Sequence, residues 1–278
     1  MCERRKLLLA AIVFYYKVTL GSATLLDMAP DSVDYMYDGC QKEAMEKLIH
    51  SGLLKQELKA NEGFQKAWDA NATCSKLIPA VTKDHKAALL AYADGDEDFT
   101  NTFDDAVETR GGNISTYEKD FHFKSLHFLL MDSMLLMSTK KCKVLHTIKE
   151  KEYTAQKGSK VRVGKFTKVL TSYSELRALH DWYGQVIFNI TSCFFVNLGD
   201  DVCSQNPAMA LLSPAEVFTV EAVNKKTDGD IEYTEVVLKS VDLNLSHNCY
   251  SLSGSPADVS TLWLVLTLVA LAPFSFNY

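Results

Sequence analysis

The sequence predicts an α+β fold, helical in its first half and β in its second, from three observations. Apolar residues recur at helical spacing through residues 39–139. After Cys142 the apolar segments become short, rich in Val and Ile, and partly alternating. Thr227-Asp228-Gly229-Asp230, between the last two of these segments, has the composition of a hairpin turn. A helical block followed by a strand block, without internal repeats, argues for one shared core rather than alternating βαβ units.

Each element has its own signal. Met45, Leu48, Ile49 and Leu53 mark a first helical stripe, and Leu126, Leu129, Leu130, Met134 and Met137 mark the last. Between them, KDHKAALLAYADGDEDFTNTFDDAVETRGGN carries two helices split at the acidic turn around Gly95, and Gly111-Gly112 stops the second. The acids at 94–98 lack the ligand order of an EF-hand loop and its closing Glu, so they read as a solvated turn that caps a helix, and no metal site is expected. KVLHTI, KVRVGKF, QVIFNI, AEVFTVEAV and IEYTEVVLKSV supply the strands.

The two ends read as targeting segments. MCERRK is cationic, LLLAAIVFYY is apolar but too short to span a bilayer, and Gly21-Ser22-Ala23 suits cleavage, so residues 1–23 are expected to be a signal peptide. At the other end Ser253-Gly254-Ser255, a polar spacer and the apolar run Leu262 to Ala272 have the order of a GPI-attachment signal. Attachment is expected at Ser253, with 254–278 as the propeptide and 24–253 as the mature domain: a helical lobe over about 24–141 and a β lobe over about 142–245. Such a protein would sit on the extracellular face of the plasma membrane, held by its lipid.

Cysteine usage agrees with a secreted protein. Cys40, Cys74, Cys142, Cys193, Cys203 and Cys249 remain once Cys2 leaves with the leader, none at C-x-x-C spacing, which argues for disulfides rather than zinc. Six cysteines allow about fifteen pairings, and spacing alone does not choose among them. Sequons at Asn71, Asn113, Asn189 and Asn244 add candidate glycosylation sites. A formal charge of −6 gives no support to nucleic-acid binding.

Four segments carry a family likeness: LLDMAPDSVDYMYDGC; KDHKAALLAYADGDEDFTNTFDDAV; FHFKSLHFLLMDSMLLM; and KGSKVRVGKFT with the later SPAEVF. In this order the chain resembles the vertebrate GPI-anchored ecto-mono-ADP-ribosyltransferases, which move ADP-ribose from NAD to arginine side chains. The resemblance implies a helical lobe packed on a two-sheet β core, with NAD, as substrate, in the cleft between the sheets and an arginine-bearing protein as acceptor. It also implies Cys40–Cys249 and Cys142–Cys193 disulfides, leaving Cys74 and Cys203 paired with each other or free.

The family reaction breaks the nicotinamide–ribose bond through an oxocarbenium-like transition state. It needs a cation for the pyrophosphate, a hydroxyl for the nicotinamide ribose, and a carboxylate for the developing charge, with a second carboxylate for the incoming arginine. In the arginine slot after Cys142 this chain has His146, which lacks the bidentate fork and the permanent charge. After Gly164-Lys165-Phe166, Thr167 keeps one hydroxyl but the serines are gone, and Lys165 or Lys168 is a candidate for a phosphate contact. With Pro214 and Glu216-Val217-Phe218 as anchors, the two loop glutamates fall on Pro207 and Met209, neither of which can accept a hydrogen bond from ribose. Glu216 lies beyond the proline turn and is the one remote candidate for the missing acid.

All three catalytic elements are altered together. Weak or absent transfer is therefore expected. The residue chemistry favours a non-catalytic surface protein that binds an unidentified protein partner on the same scaffold; the alternative is an active enzyme that uses displaced residues.

Overall fold

A computed structural model describes residues 23–70, 78–149, 153–178, 184–202, 204, 206–245, 247–249 and 252. The expected leader, Asn71, Cys74, Cys203 and Ser253 with the expected propeptide lie outside these residues. The helical lobe begins with α1 (Gln41–Ala44), which continues as a π-helical turn over Met45–His50. It goes on through α2 (Leu53–Ala60), α3 (Glu62–Ala70), α4 (Lys83–Asp94), α5 (Glu97–Thr109), α6 (Ile114–Asp120) and α7 (Lys124–Met137). No helix among the described residues is long and apolar enough to cross a membrane.

The acidic turn at 94–98 caps a helix, as expected. Asp96 Oδ1 accepts the Phe99 N–H at 3.0 Å and starts α5, and Asn113 starts α6 in the same way by accepting the Thr116 N–H. Helix α5 ends at Thr109 because the chain must turn sharply: a Cβ on Gly111 would lie 2.1 Å from the Ser32 carbonyl oxygen. Helix α7 is apolar on nearly every face and is buried from Ser125 to Met134 at the centre of the lobe. Most of its buried polar groups find partners, Asp132 Oδ1 having none among the described residues: Ser125 Oγ donates to the Leu48 carbonyl at 2.9 Å, and His127 Nε2 donates to the Val33 carbonyl at 2.9 Å. In the third case the hydrogen bond from the Thr82 N–H to His85 Nδ1 leaves the ring proton on Nε2, 2.9 Å from Asp132 Oδ2.

The β lobe comprises β2 (Lys143–Lys149), β3 (Tyr153–Thr154), β4 (Lys160–Val161), β5 (Thr167–Leu170), α8 (Tyr173–Ala178), β6 (Val186–Ser192), β7 (Phe195–Asn197), α9 (Leu198–Val202), β8 (Met209–Leu212), β9 (Glu216–Asp228) and β10 (Ile231–Leu243). β1 (Thr24–Leu25) pairs only with β3. The other strands form one ladder in the order β4-β9-β10-β6-β2-β5-β8-β7, antiparallel except for β6 beside β10. β2 and β5 are joined through a single residue pair, His146 with Leu170. Leu145, Phe188 and Val236 on one side of that joint share a core with Val169, Ala210 and Leu212 on the other. The ladder is thus two sheets hinged at β2/β5, which is the expected two-sheet core. The predicted hairpin closes through Gly229-Asp230, with Ile231 opposite Asp228 and Gly229 at φ +63°.

A second core joins the lobes: Phe166, Val196, Leu198 and Leu211 of the β half pack with Phe103, Leu126 and Met131 of the helices. Both disulfides implied by the resemblance are present. Cys40–Cys249 ties the start of α1 to the segment after β10, with Cα atoms 6.2 Å apart, and Cys142–Cys193 joins the ends of β2 and β6 at 3.9 Å.

Candidate functional site

Alternation along β2 and β5 sets the geometry. His146 and Ile148 point to one face of β2, and Lys168 and Leu170 to the corresponding face of β5. Beside them, α8 brings Leu176 and Glu175, and the start of β8 brings Met209 and Asn206, enclosing a cleft of about 290 Å³. His146 and Met209, which the sequence reading aligns with the family's arginine and glutamate, both line this cleft. Pro207 precedes Met209 on the exposed turn into β8. That turn lies tight against α9, since a Cβ on Gly199 would come within 2.2 Å of Pro207 Cα.

The His146 ring is buried edge-on against Tyr173, with centroids 5.3 Å apart, and its Nδ1 has no hydrogen-bond partner among the described residues. Burial pushes the His146 pKa down against a weaker pull from Glu235, so the ring is neutral at pH 7. Met209 presents a thioether where the family alignment expects a carboxylate. The acid in the cleft lining is Glu175, on the opposite wall and exposed.

Glu216 opens β9 and is fully buried. Its carboxylate accepts hydrogen bonds from Ser192 Oγ (2.5 Å), Ser240 Oγ (2.6 Å), the Cys193 N–H (2.8 Å) and the Phe194 N–H (3.2 Å). These donors bind the turn after β6 to β10, so this acid fixes the frame and does not line the cleft.

Thr167 lies in a neighbouring cleft of about 580 Å³ between α5 and the edge of β2, β3 and β5, and Thr147, Ile148 and Lys168 belong to both. The Thr167 hydroxyl donates to the Lys165 carbonyl at 3.4 Å. The lining of this second cleft is charged. The Tyr92 hydroxyl lies 2.8 Å from the Phe166 carbonyl and 3.1 and 3.3 Å from the Asp104 oxygens, so its one proton is shared among them, and Lys165 pairs with Glu108 at 3.7 Å. Burial pushes the Asp104 carboxyl up to about 7 against the pull of Lys165, Lys149 and Lys168. Burial also brings the Lys149 ammonium down to about 8 and lowers Lys168. Sequence reasoning missed Asp104 and Lys149 in this cleft and Glu175 in the smaller one, because α5, β2 and α8 carry them from separate parts of the chain and no short motif contains them.

Of the sequons, Asn113 is exposed at its helix start. Asn189 is half-buried in β6, where its Nδ2 donates to Glu235 at 3.3 Å, and the Asn244 Nδ2 donates to Asp34.

Comparison with known proteins returns a consistent set. Residues 26–246 match the model of the family "NAD:arginine ADP-ribosyltransferase". Ecto-ADP-ribosyltransferase 4 of Mus musculus is 26% identical over 265 residues, covering 88% of this chain and 85% of that protein. Ecto-ADP-ribosyltransferase 5 of Homo sapiens is 27% identical over 246 residues, covering 82% and 81%. A crystal structure of a mutant of the eukaryotic mono-ADP-ribosyltransferase ART2.2 in complex with NADH aligns at a TM-score of 0.65 and 24% identity, over 81% of this chain and 98% of that one. A second ART2.2 mutant was crystallised with NAD and aligns equally well. At that identity the structural likeness speaks for the fold.

Proposed function

The chain belongs to the NAD:arginine ADP-ribosyltransferase family, and from that premise we propose that it is a surface recognition protein on the family scaffold, with little or no transfer of ADP-ribose to arginine. One observation carries the reading: at the first residue of β8 the cleft holds Met209 beside a neutral, buried His146. Cleaving the glycosidic bond of NAD leaves positive charge on the ribose, and a thioether cannot balance it. Losing one such electrostatic group commonly costs ~10²–10³ in rate. Without a permanent cation at position 146, the grip on a pyrophosphate weakens by ~1.5–3 kcal/mol, tenfold or more in affinity.

The targeting segments fit this role. Cleavage after residue 23, lipid attachment at Ser253 and glycosylation at Asn71, Asn113, Asn189 and Asn244 would put the domain outside the cell, held to the plasma membrane by a GPI lipid. The two disulfides suit that compartment, and the relatives are named as ecto-enzymes. The partner in this reading is a protein whose identity the site does not specify.

A second reading, transfer by displaced residues, is favoured by Glu175, the carboxylate that faces this cleft from α8. NAD turnover by the purified ectodomain, with agmatine as acceptor, separates the two. The recognition reading expects neither transfer nor appreciable hydrolysis. Turnover at rates typical of the family would overturn it, and its loss in Glu175→Gln would establish the second reading. The triple variant His146→Arg, Pro207→Glu, Met209→Glu is expected to gain NAD binding and turnover; a folded triple variant that does neither would refute the assignment of these positions.

A further inference from the structure

We propose that the free edge of β9 binds an extended, acidic segment of a partner protein, which adds to the sheet as one more strand. This inference goes beyond the recognition reading and does not depend on it, because no residue of β9 lines either cleft.

The strand is covered along its whole length on one side only. There β10 runs opposite it from Glu216 to Asp228. On the other side β4 covers Phe218 and Thr219, and the pairing stops at Val220, which accepts from the Gly158 N–H at 2.8 Å and donates to the Ser159 carbonyl at 3.0 Å. Past that point, among the described residues, no backbone group bonds the outer edge of residues 222–228. At the usual rise of a strand this edge is roughly 23 Å long, room for about seven residues of a partner. Residues 223–227 are exposed in succession, the apolar Val223 at 41%, so both faces of the edge are open. A row of unpaired N–H and C=O groups fits another polypeptide strand and no other class of ligand so well.

The charges along the edge narrow the partner. Two acids of β9 are already matched within the lobe, Glu221 by Lys239 at 3.4 Å and Asp228 by Arg177 at 3.1 Å. Lys226 is matched too, 2.7 Å from Glu235. Lys225 on the edge, and Lys157 and Lys160 where the pairing with β4 ends, are exposed and have no carboxylate within 4 Å among the described residues. Alternation puts Val223 and Lys225 on one face, opposite Val236 and Thr234 of β10. An added strand would set an apolar side chain beside Val223 and a carboxylate beside Lys225, and such cross-strand pairs stabilise a sheet. Glu232 stands opposite Thr227, with Asp230 in the turn, so the partner's acids belong toward Lys225 and Lys157 and away from the hairpin tip. A second copy of this chain is the wrong occupant, because two such edges would bring their unmatched lysines together.

Fluorescence anisotropy with the intact ectodomain tests this with two labelled peptides of about seven residues, one alternating Glu and Val, the other Lys and Val. Saturable binding is expected for the Glu peptide, and binding at least tenfold weaker for the Lys peptide. With the Glu peptide bound, hydrogen exchange should slow at residues 222–228. Lys225→Glu should weaken the Glu peptide about tenfold, whereas Lys55→Glu, exposed on α2, should change nothing. Equal binding of the two peptides, or indifference to Lys225→Glu, would overturn the acidic half of the proposal. No binding of the Glu peptide, or binding that leaves exchange at residues 222–228 unchanged, would overturn the whole. Self-association of the ectodomain that protects these same residues would give the edge to a second copy and overturn it as well.

Discussion

Glu216 is a fully buried carboxylate and Asp104 a half-buried one, and their neighbours give them opposite parts. Glu216 is surrounded by four donors and ties three strands at one point. Glu216→Ala strands those donors and should cost ~2–4 kcal/mol, read as a lower midpoint in urea. Asp104 has a single hydroxyl donor and is pushed up to about 7 by burial, while an unfolded aspartate titrates near 4. Between those values the folded chain holds a proton that the unfolded chain has released. The stability due to this group therefore falls as pH rises from ~4 to ~7, and the cost is complete above ~7. Asp104→Asn should raise the melting temperature most at pH 8 and least near pH 4. A gain that does not vary with pH would contradict the assignment.

At the scale of elements, the sequence was legible where local chemistry decides structure. The helical stripe of Leu126 to Met137, the Asp96 cap and the Gly229-Asp230 turn each rest on residues a few positions apart. The hinge between the sheets was not legible from the residues, because it depends on a pairing between His146 and Leu170 across a long separation. The site divides in the same way. His146 and Met209, aligned by sequence with two motif positions, line the same cleft. Of the charged cleft, Lys165, Thr167 and Lys168 were singled out on one segment, but Asp104 and Lys149 were missed because they belong to other elements with no shared pattern. The loop that presents Met209 rests on Gly199, where a side chain would strike the Pro207 backbone. Gly199→Ala should displace that loop, destabilise the fold by ~1–3 kcal/mol, and increase hydrogen exchange at the start of β8. Unchanged exchange there would show that the glycine is not needed for the approach.

Across the whole molecule, the segment from Asn244 to Cys249 acts as a strap over the N-terminal segment. Asp34 is buried at its centre: it accepts from Arg162 at 2.6 Å, from the Asn244 side chain, and pairs with His247 at 2.9 Å. Arg162 also donates to the Met28 and Ala29 carbonyls, so the segment before α1, the β sheet and the strap meet at one ion pair. Four residues on, the Asn248 side chain bonds Asp38 through both its N–H and its C=O, and Cys249 closes onto Cys40. Breaking a buried pair by removing one partner typically costs ~3–5 kcal/mol, and a disulfide closing so long a loop contributes ~2–5 kcal/mol. Both act on the same strap, so their effects should not add. Once Cys249 is released, the strap can lift and take His247 and Asn244 from Asp34, leaving less for Asp34→Ala to remove. A double-mutant cycle of Asp34→Ala with Cys40→Ser/Cys249→Ser, followed by urea denaturation, should give a combined loss smaller than the sum by ~1 kcal/mol or more. Strict additivity would mean that the Asp34 cluster holds without the disulfide, and that the strap is two independent fastenings rather than one.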